Sequence, residues 1–285
     1  MSEWKKEQAG HLSHSINHIT QHTQSQQAHD DVSRTNTPTV ATSRQLRGAA
    51  TPSSWDWRDH KGVTAVKDQG QCGSCWAFST AEAIESAYMI AGNSPTELSI
   101  AQIVQCDSSG DDQGCNGGDT ITAYDYVKAA GGLSSEADYP YAGAISKGVT
   151  GKCDASAEKK VVSGTNVKSW SYATPACTSR NCDNQDEAKL ADTLSSVAPP
   201  SICVNAEPWQ DYTKGVMKAS SCDGGYYELD HCVQLIGYDS IDGKDGYWTV
   251  RNSWATDWGV DGMIHLEYGS NTCGLADEAT VLVLG

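Results

Sequence analysis

The stretch Gln69 to Ser79, Q-G-Q-C-G-S-C-W-A-F-S, sets two cysteines three residues apart, Cys72 and Cys75, against Trp76. Such a pair can hold a metal, cycle between thiol and disulfide, staple two loops, or supply a nucleophile, and the other cysteines bear on the choice. The chain has 285 residues and 11 cysteines. That length can bury a core without covalent help, so the cysteines do not merely compensate for small size. Their number points to an oxidising compartment. It is also odd: ten can pair, and a leftover thiol in such a protein is either intermolecular or reactive.

Cys75 opens a run, residues 75–91, that is free of Gly and Pro and rich in helix formers. Gly92 and Asn93 close it with a C-cap signal. A thiol in the first turn of a helix meets unpaired N–H groups and the positive end of the dipole, which favour the thiolate. Residues 97–105 and 119–130 also read as helices. After residue 160 the texture turns to β: V-V-S-G-T-N-V, S-I-C-V-N-A, C-V-Q-L-I-G-Y, G-Y-W-T-V-R-N-S-W and M-I-H-L-E-Y are short β-branched or aromatic runs bounded by Gly and Asp. Helices first and strands afterwards predict an α+β protein in two halves, about 66–162 and about 163–285, with a site between them.

Residues 1–51 differ from the rest. They are rich in Gln, Ser, Thr and His and hold no cysteine, so they lack the material for a core and read as a polar pro-segment or tail. His11, His14, His18 and His22 recur at near-helical spacing; a solvated polar segment is favoured over a metal stripe, and no metal or cofactor is expected. The 36 acidic against 20 basic residues give a net charge of −16, which argues against nucleic acid and anionic membranes and suits an acidic lumen. No run of 18 apolar residues could span a membrane, and the N-terminus shows no apolar signal region.

A nucleophilic thiol needs a base and an orienting group, usually distant in sequence. After residue 51 the histidines are His60, His231 and His265. His231, in E-L-D-H-C-V-Q-L-I-G-Y, begins a predicted strand, and Asn252, in V-R-N-S-W-A-T-D-W-G, ends another; His265 reads as a plain strand residue. C-G-S-C-W followed much later by His and Asn is the signature of the papain and cathepsin nucleophile. From about Pro52 to Gly285 the chain resembles a papain-like cysteine endopeptidase, with further motifs in W-D-W-R-D-H-K-G-V, G-C-N-G-G, Y-P-Y and N-S-W-A-T-D-W-G. A zinc site would want a second close pair of ligands, and a thioredoxin-type motif a βαβ unit, and neither is seen. A weakly active or inactive relative that binds peptides or inhibitors is the alternative.

The resemblance implies a two-domain fold, a helical half and an antiparallel barrel-like β half, with the active site in the cleft. It gives Cys75 as thiolate nucleophile, His231 as its imidazolium partner and Asn252 as the residue that orients the imidazole. Trp254 shields that contact, and Gln69 joins the Cys75 backbone N–H in an oxyanion hole. Gly117, Gly118, Cys203, Cys232, Trp258 and Glu278 are expected at the substrate, with Glu278 at the floor of the pocket for the residue two before the scissile bond. The implied bridges are Cys72–Cys115, Cys106–Cys153 and Cys222–Cys273. Cys177–Cys182 is a plausible local bridge, and the remaining pair, Cys203–Cys232, is left between a bond and two buried thiols. Peptide and protein substrates and cystatin-like inhibitors are the implied partners of a monomer in a lysosome or digestive vacuole, or outside the cell. Maturation is expected at Arg47–Gly48, with Leu46 supplying the bulky apolar residue.

Overall fold

The computed structural model describes residues 50–285 apart from 111, 178–180, 183 and 184. The histidine stripe from His11 to His22 and the Arg47–Gly48 bond lie outside the described residues.

The central helix α1 (Cys75–Ile90) is buried on most of its circumference, from Cys75 through Ser86. Its alanines, Ala77, Ala81 and Ala83, let neighbours approach closely, and a helix apolar on nearly all sides belongs between layers. It ends at Gly92, whose φ of +94° costs little without a Cβ and whose N–H reaches Met89 O at 2.9 Å. Helix α2 (Ile100–Cys106) is capped by Ser99 Oγ, which accepts from Gln102 N, and α3 (Thr120–Ala130) by Asp119, which accepts from Ile121 N. Their apolar faces join Trp76, Phe78, Ile84, Leu133 and Tyr139 in one core.

The second half is an eight-stranded sheet of β1 (Trp55–Asp56), β2 (Val167–Tyr172), β3 (Ser201–Val204), β4 (Val216–Met217), β5 (His231–Asp239), β6 (Tyr247–Arg251), β7 (Met263–Glu267) and β8 (Glu278–Leu284). Its order is β2-β8-β3-β5-β6-β7-β4, with β1 added to β5. Its pairs are antiparallel except β4 with β7. A second core around Trp209, Trp248, Leu235 and Ile264 fills this half.

Three features depart from the sequence expectation. The run V-V-S-G-T-N-V is mostly turn, and β2 begins only at Val167: Gly164 takes φ +90°, and Thr165 Oγ1 is held by Leu133 N at 2.9 Å. Helix α4 (Glu187–Ser196) stands in the β half, capped by Asp186 and anchored by Leu190, Ala191 and Leu194 in the second core. Strand β8 was also not assigned from sequence. With β2 it carries Leu282 and Val167 into the helical core, so the two halves interlock instead of separating near residue 163.

α1 is fastened to the sheet by polar side chains. Ser79 Oγ donates to Val233 O at 2.7 Å, and Gln234 Nε2 donates to Glu82 O and Ser86 Oγ, each at 3.0 Å. Arg251, fully buried, donates to Gln234 Oε1 at 2.6 Å and Thr64 O at 2.7 Å, and faces Glu82 Oε2 at 3.4 Å. Buried charges persist where partners are supplied, and these fix α1 against β5 and β6.

Candidate active site

The loop before α1 is shaped by one staple and one close approach. Cys72 bonds Cys115, and Gly73 donates its N–H to Cys115 O at 2.9 Å. A Cβ on Gly73 would lie 2.7 Å from that oxygen, so only glycine fits between the cysteines. Tyr141 OH donates to Gln69 O at 2.8 Å and meets Ser74 Oγ at 2.8 Å. Cys75, the first residue of α1, is buried, and it is the free cysteine among the described residues. The other ten form Cys72–Cys115, Cys106–Cys153, Cys177–Cys182, Cys203–Cys232 and Cys222–Cys273.

Cys75 and Ser79 are one helical turn apart and share a face of α1. Ser79 is bonded to Val233, two residues beyond His231 on β5, and the Cys232 backbone N–H is directed to the Cys75 sulfur. The first residue of α1 is thus brought beside the first residues of β5.

His231 is buried, with Nε2 2.8 Å from Asn252 Oδ1. The same oxygen accepts the Ser253 backbone N–H at 2.8 Å, so it is a true acceptor and the amide orientation is fixed. His231 Nε2 must therefore carry the proton. In the neutral ring Nδ1 is then the basic nitrogen, and it has no hydrogen-bond partner among the described residues. Trp254 covers the pair, its ring 5.0 Å from the imidazole. Burial pushes His231 down to about 4, against the pull of Asn252, and pushes the Cys75 thiol up to about 12. Enclosure disfavours each charged form taken singly, so a thiolate–imidazolium pair is held only by the mutual attraction of its two charges.

Gln69 is buried beside this pair. Its Nε2 donates to Cys72 O at 3.0 Å and its Oε1 accepts from Ser253 Oγ at 2.6 Å. Gly117 and Gly118 follow Cys115 on the G-C-N-G-G loop. A Cβ on Gly118 would press into the Trp76 ring at 2.5 Å and Asp112 Oδ1 at 2.7 Å. Gly118→Ala should therefore displace this segment and raise KM about tenfold or more with kcat less affected; initial-rate kinetics on a fluorogenic peptide check it, and an unchanged KM would remove the segment from substrate binding.

Cys232, Cys203 and Glu278 lie opposite one another across β5, β3 and β8, so their side chains share one face. Tyr226, Leu229 and the Cys177–Cys182 bridge pack with the two cysteines. Glu278 is only 2% exposed, and burial, with the charge and hydrogen bond of Asp119 beside it, raises its pKa well above normal. The group is thus enclosed, and its burial favours the protonated form. Trp258 is 3% exposed and packs on Trp254, Tyr212 and Trp209, so it backs the shielding tryptophan.

A family model described as papain family cysteine protease matches residues 51–283. The chain is 38% identical over 230 residues to cathepsin O of Homo sapiens, covering 80% of this chain and 65% of that protein. It is 40% identical over 238 residues to vignain of Ricinus communis, covering 80% of this chain and 59% of that one. The chain thus spans about three fifths to two thirds of the length of these curated relatives. Among solved structures, the digestive procathepsin L 3 of Tenebrio molitor larval midgut superposes with a TM-score of 0.70 at 30% identity, over 87% of this chain and 73% of that one.

Proposed function

Because this chain belongs to the papain family of cysteine proteases, we propose that it is an endopeptidase that cleaves peptide bonds through an acyl-enzyme on Cys75. The observation that supports this reading is the His231–Asn252 hydrogen bond, which leaves Nδ1 as the basic nitrogen of the residue that precedes Cys232, whose backbone N–H is directed to the one unbridged cysteine, Cys75. The Sγ proton passes to Nδ1 as sulfur attacks the carbonyl carbon. Each charge alone is costly in this enclosure, but the transfer creates the two together, and their attraction in a poorly solvated site offsets the desolvation. The imidazolium then protonates the leaving amine, and water returns along the same path to release the acid.

The developing oxyanion is met by the Cys75 backbone N–H and by the Gln69 amide, whose orientation the Cys72 carbonyl, an acceptor only, supports. Each donor contributes about 3 kcal/mol to the transition state. Gly117 and Gly118 receive the extended substrate backbone, and the Cys203–Cys232 bridge walls the pocket for the side chain two before the scissile bond. With Glu278 buried and neutral, that pocket takes Leu, Val or Phe in acid and gains acceptance of Arg only as Glu278 ionises. Peptides differing in Leu or Arg at this position should favour Leu about tenfold at pH 5, a preference that narrows as pH rises. A rising preference for Leu, or an unchanged pH trend in Glu278→Ala, contradicts the role of Glu278.

Peptides and proteins are the proposed substrates, cystatin-like proteins the proposed inhibitors, and a monomer the proposed working form. Cleavage at Arg47–Gly48 would remove residues 1–47 of the leading polar segment. The names of relatives, a cathepsin and a digestive cysteine proteinase of Homarus americanus, support work in a lysosomal or digestive space or outside the cell. Turnover of a peptide library, titrated with an alkylating epoxide that adds once at Cys75, tests the whole reading; no turnover by folded, alkylatable protein would favour the peptide-binding alternative.

A further inference from the structure

Away from Cys75, His231 and Asn252, the segment Ser54–His60, whose Trp55 and Asp56 pair with β5, lines an open cavity of about 410 Å³ together with residues of β5, β6 and β7. Two aromatic faces wall it. The Trp55 and His60 rings stack at 3.9 Å and 13°, and Tyr247 and His265 lie 4.6 Å apart. Trp55 Nε1 is enclosed with no hydrogen-bond partner among the described residues.

The charges are unevenly satisfied. Arg58 is taken by Asp56, through Nε at 3.0 Å to both oxygens and Nη2 at 2.6 Å to Oδ2. Asp239 meets only hydroxyls, accepting from Tyr247 OH at 3.3 Å and Ser240 Oγ at 3.1 Å, and Asp59 forms no ion pair among the described residues. Arg58 also attracts Asp59 across the cavity, but its guanidinium is bonded to Asp56, so Asp59 and Asp239 beside the aromatic faces can still receive a further positive group, since ring faces and carboxylates both attract one. The net charge of −16 draws such groups toward the protein.

We propose that this cavity is a second binding site that takes an arginine or lysine side chain of a protein substrate, holding a basic chain to the enzyme outside the catalytic cleft. The assignment of the bound chain as substrate rests on the protease reading; the cation site does not. The groups facing the cavity are Asp56, Arg58, Asp59, His60, Asp239, Tyr247 and His265. Burial and Arg58 hold His265 below its usual value; its protonation in acid adds a positive charge to the cavity, so affinity falls as pH is lowered.

The test uses the full chain carrying Cys75→Ala, so that binding is read without cleavage. An acetylated Gly-Arg-Gly amide, added at millimolar concentration, should shift the imidazole NMR signals of His60 and His265 saturably. The same peptide with neutral citrulline in place of arginine should not. Asp59→Asn with Asp239→Asn should weaken the arginine peptide about tenfold or more. Equal shifts with citrulline, or an unchanged affinity in the double variant, would overturn the site. In the active chain the same two substitutions should leave hydrolysis of a short fluorogenic peptide unchanged. They should lower kcat/KM for a basic protein but not for its succinylated form. Equal hydrolysis of the basic protein by both forms overturns the substrate assignment, whereas failure of the unsubstituted chain on the short peptide tells against the protease reading instead.

Discussion

His231→Ala should lower kcat/KM on a fluorogenic peptide by about 10⁴-fold or more, and Cys75→Ala should reduce it to background. The reason lies in the tautomer. Asn252 Oδ1 already accepts the Ser253 N–H, so it can only hold His231 with Nε2 protonated, which leaves Nδ1 as the basic nitrogen, the base proposed for the Cys75 thiol. Without the ring, the thiol is left at about 12 with nothing to take its proton. Because the two residues act as one unit, the double variant should be no worse than the poorer single one. Asn252→Ala should cost less, on the order of 10²-fold, since the ring survives but loses its preferred tautomer. All variants should keep five bridges by mass, and Cys75→Ala alone should lose epoxide labelling. Turnover near that of the unsubstituted chain in His231→Ala would refute the assignment.

The chemistry of this site was legible in sequence because it depends on residue types at fixed places: a thiol opening a helix, a histidine opening a strand, an asparagine closing one. The helix signals around Cys75 and Gly92 are local, whereas the need for Gly73 between two cysteines is set by the distant Cys115 carbonyl. What escaped is set by distant partners. Helix α4 has little apolar material of its own and is stabilised by Trp248 Nε1 and the backbone N–H groups of Gly269 and Asn271, all reaching Glu187. The spacing after Cys273 points to Glu278 as a pocket position, but sequence spacing carries no desolvation, and the fold places it opposite Cys203 and near Asp119, where burial raises its pKa. His265 reads as a strand residue and is one; its role in the cavity comes from Trp55 and Asp59, some two hundred residues away.

Stability should fall as pH rises from acid to neutral. Burial raises Asp277 to about 6, Asp230 and Glu136 to about 7, and Asp112, which Asp107 also repels, to about 9. It raises Glu82, Asp107 and Glu278 in the same direction. Each of these carboxyls keeps in the native state a proton that the unfolded chain loses near 3.8 or 4.5. Between that value and the raised one unfolding releases protons, so the stability present in acid drains away with rising pH. His231 works the other way: held near 4 against its usual 6.5, it removes stability as pH falls through that window, but it is one group against seven. At about 1.4 kcal/mol per proton per pH unit, discounted for the partly exposed groups, the loss from pH 4.5 to 7.5 is on the order of 5 kcal/mol, or roughly 10–20 °C in Tm. Calorimetry on Cys75→Ala, which cannot digest itself, measures it, and a flat or rising Tm would contradict the burial of these acids. Asp112→Asn keeps the acceptor that Asp119 N–H uses at 2.8 Å and has no proton to lose, so it should flatten the slope and raise Tm at pH 7.5 while leaving pH 4.5 nearly unchanged.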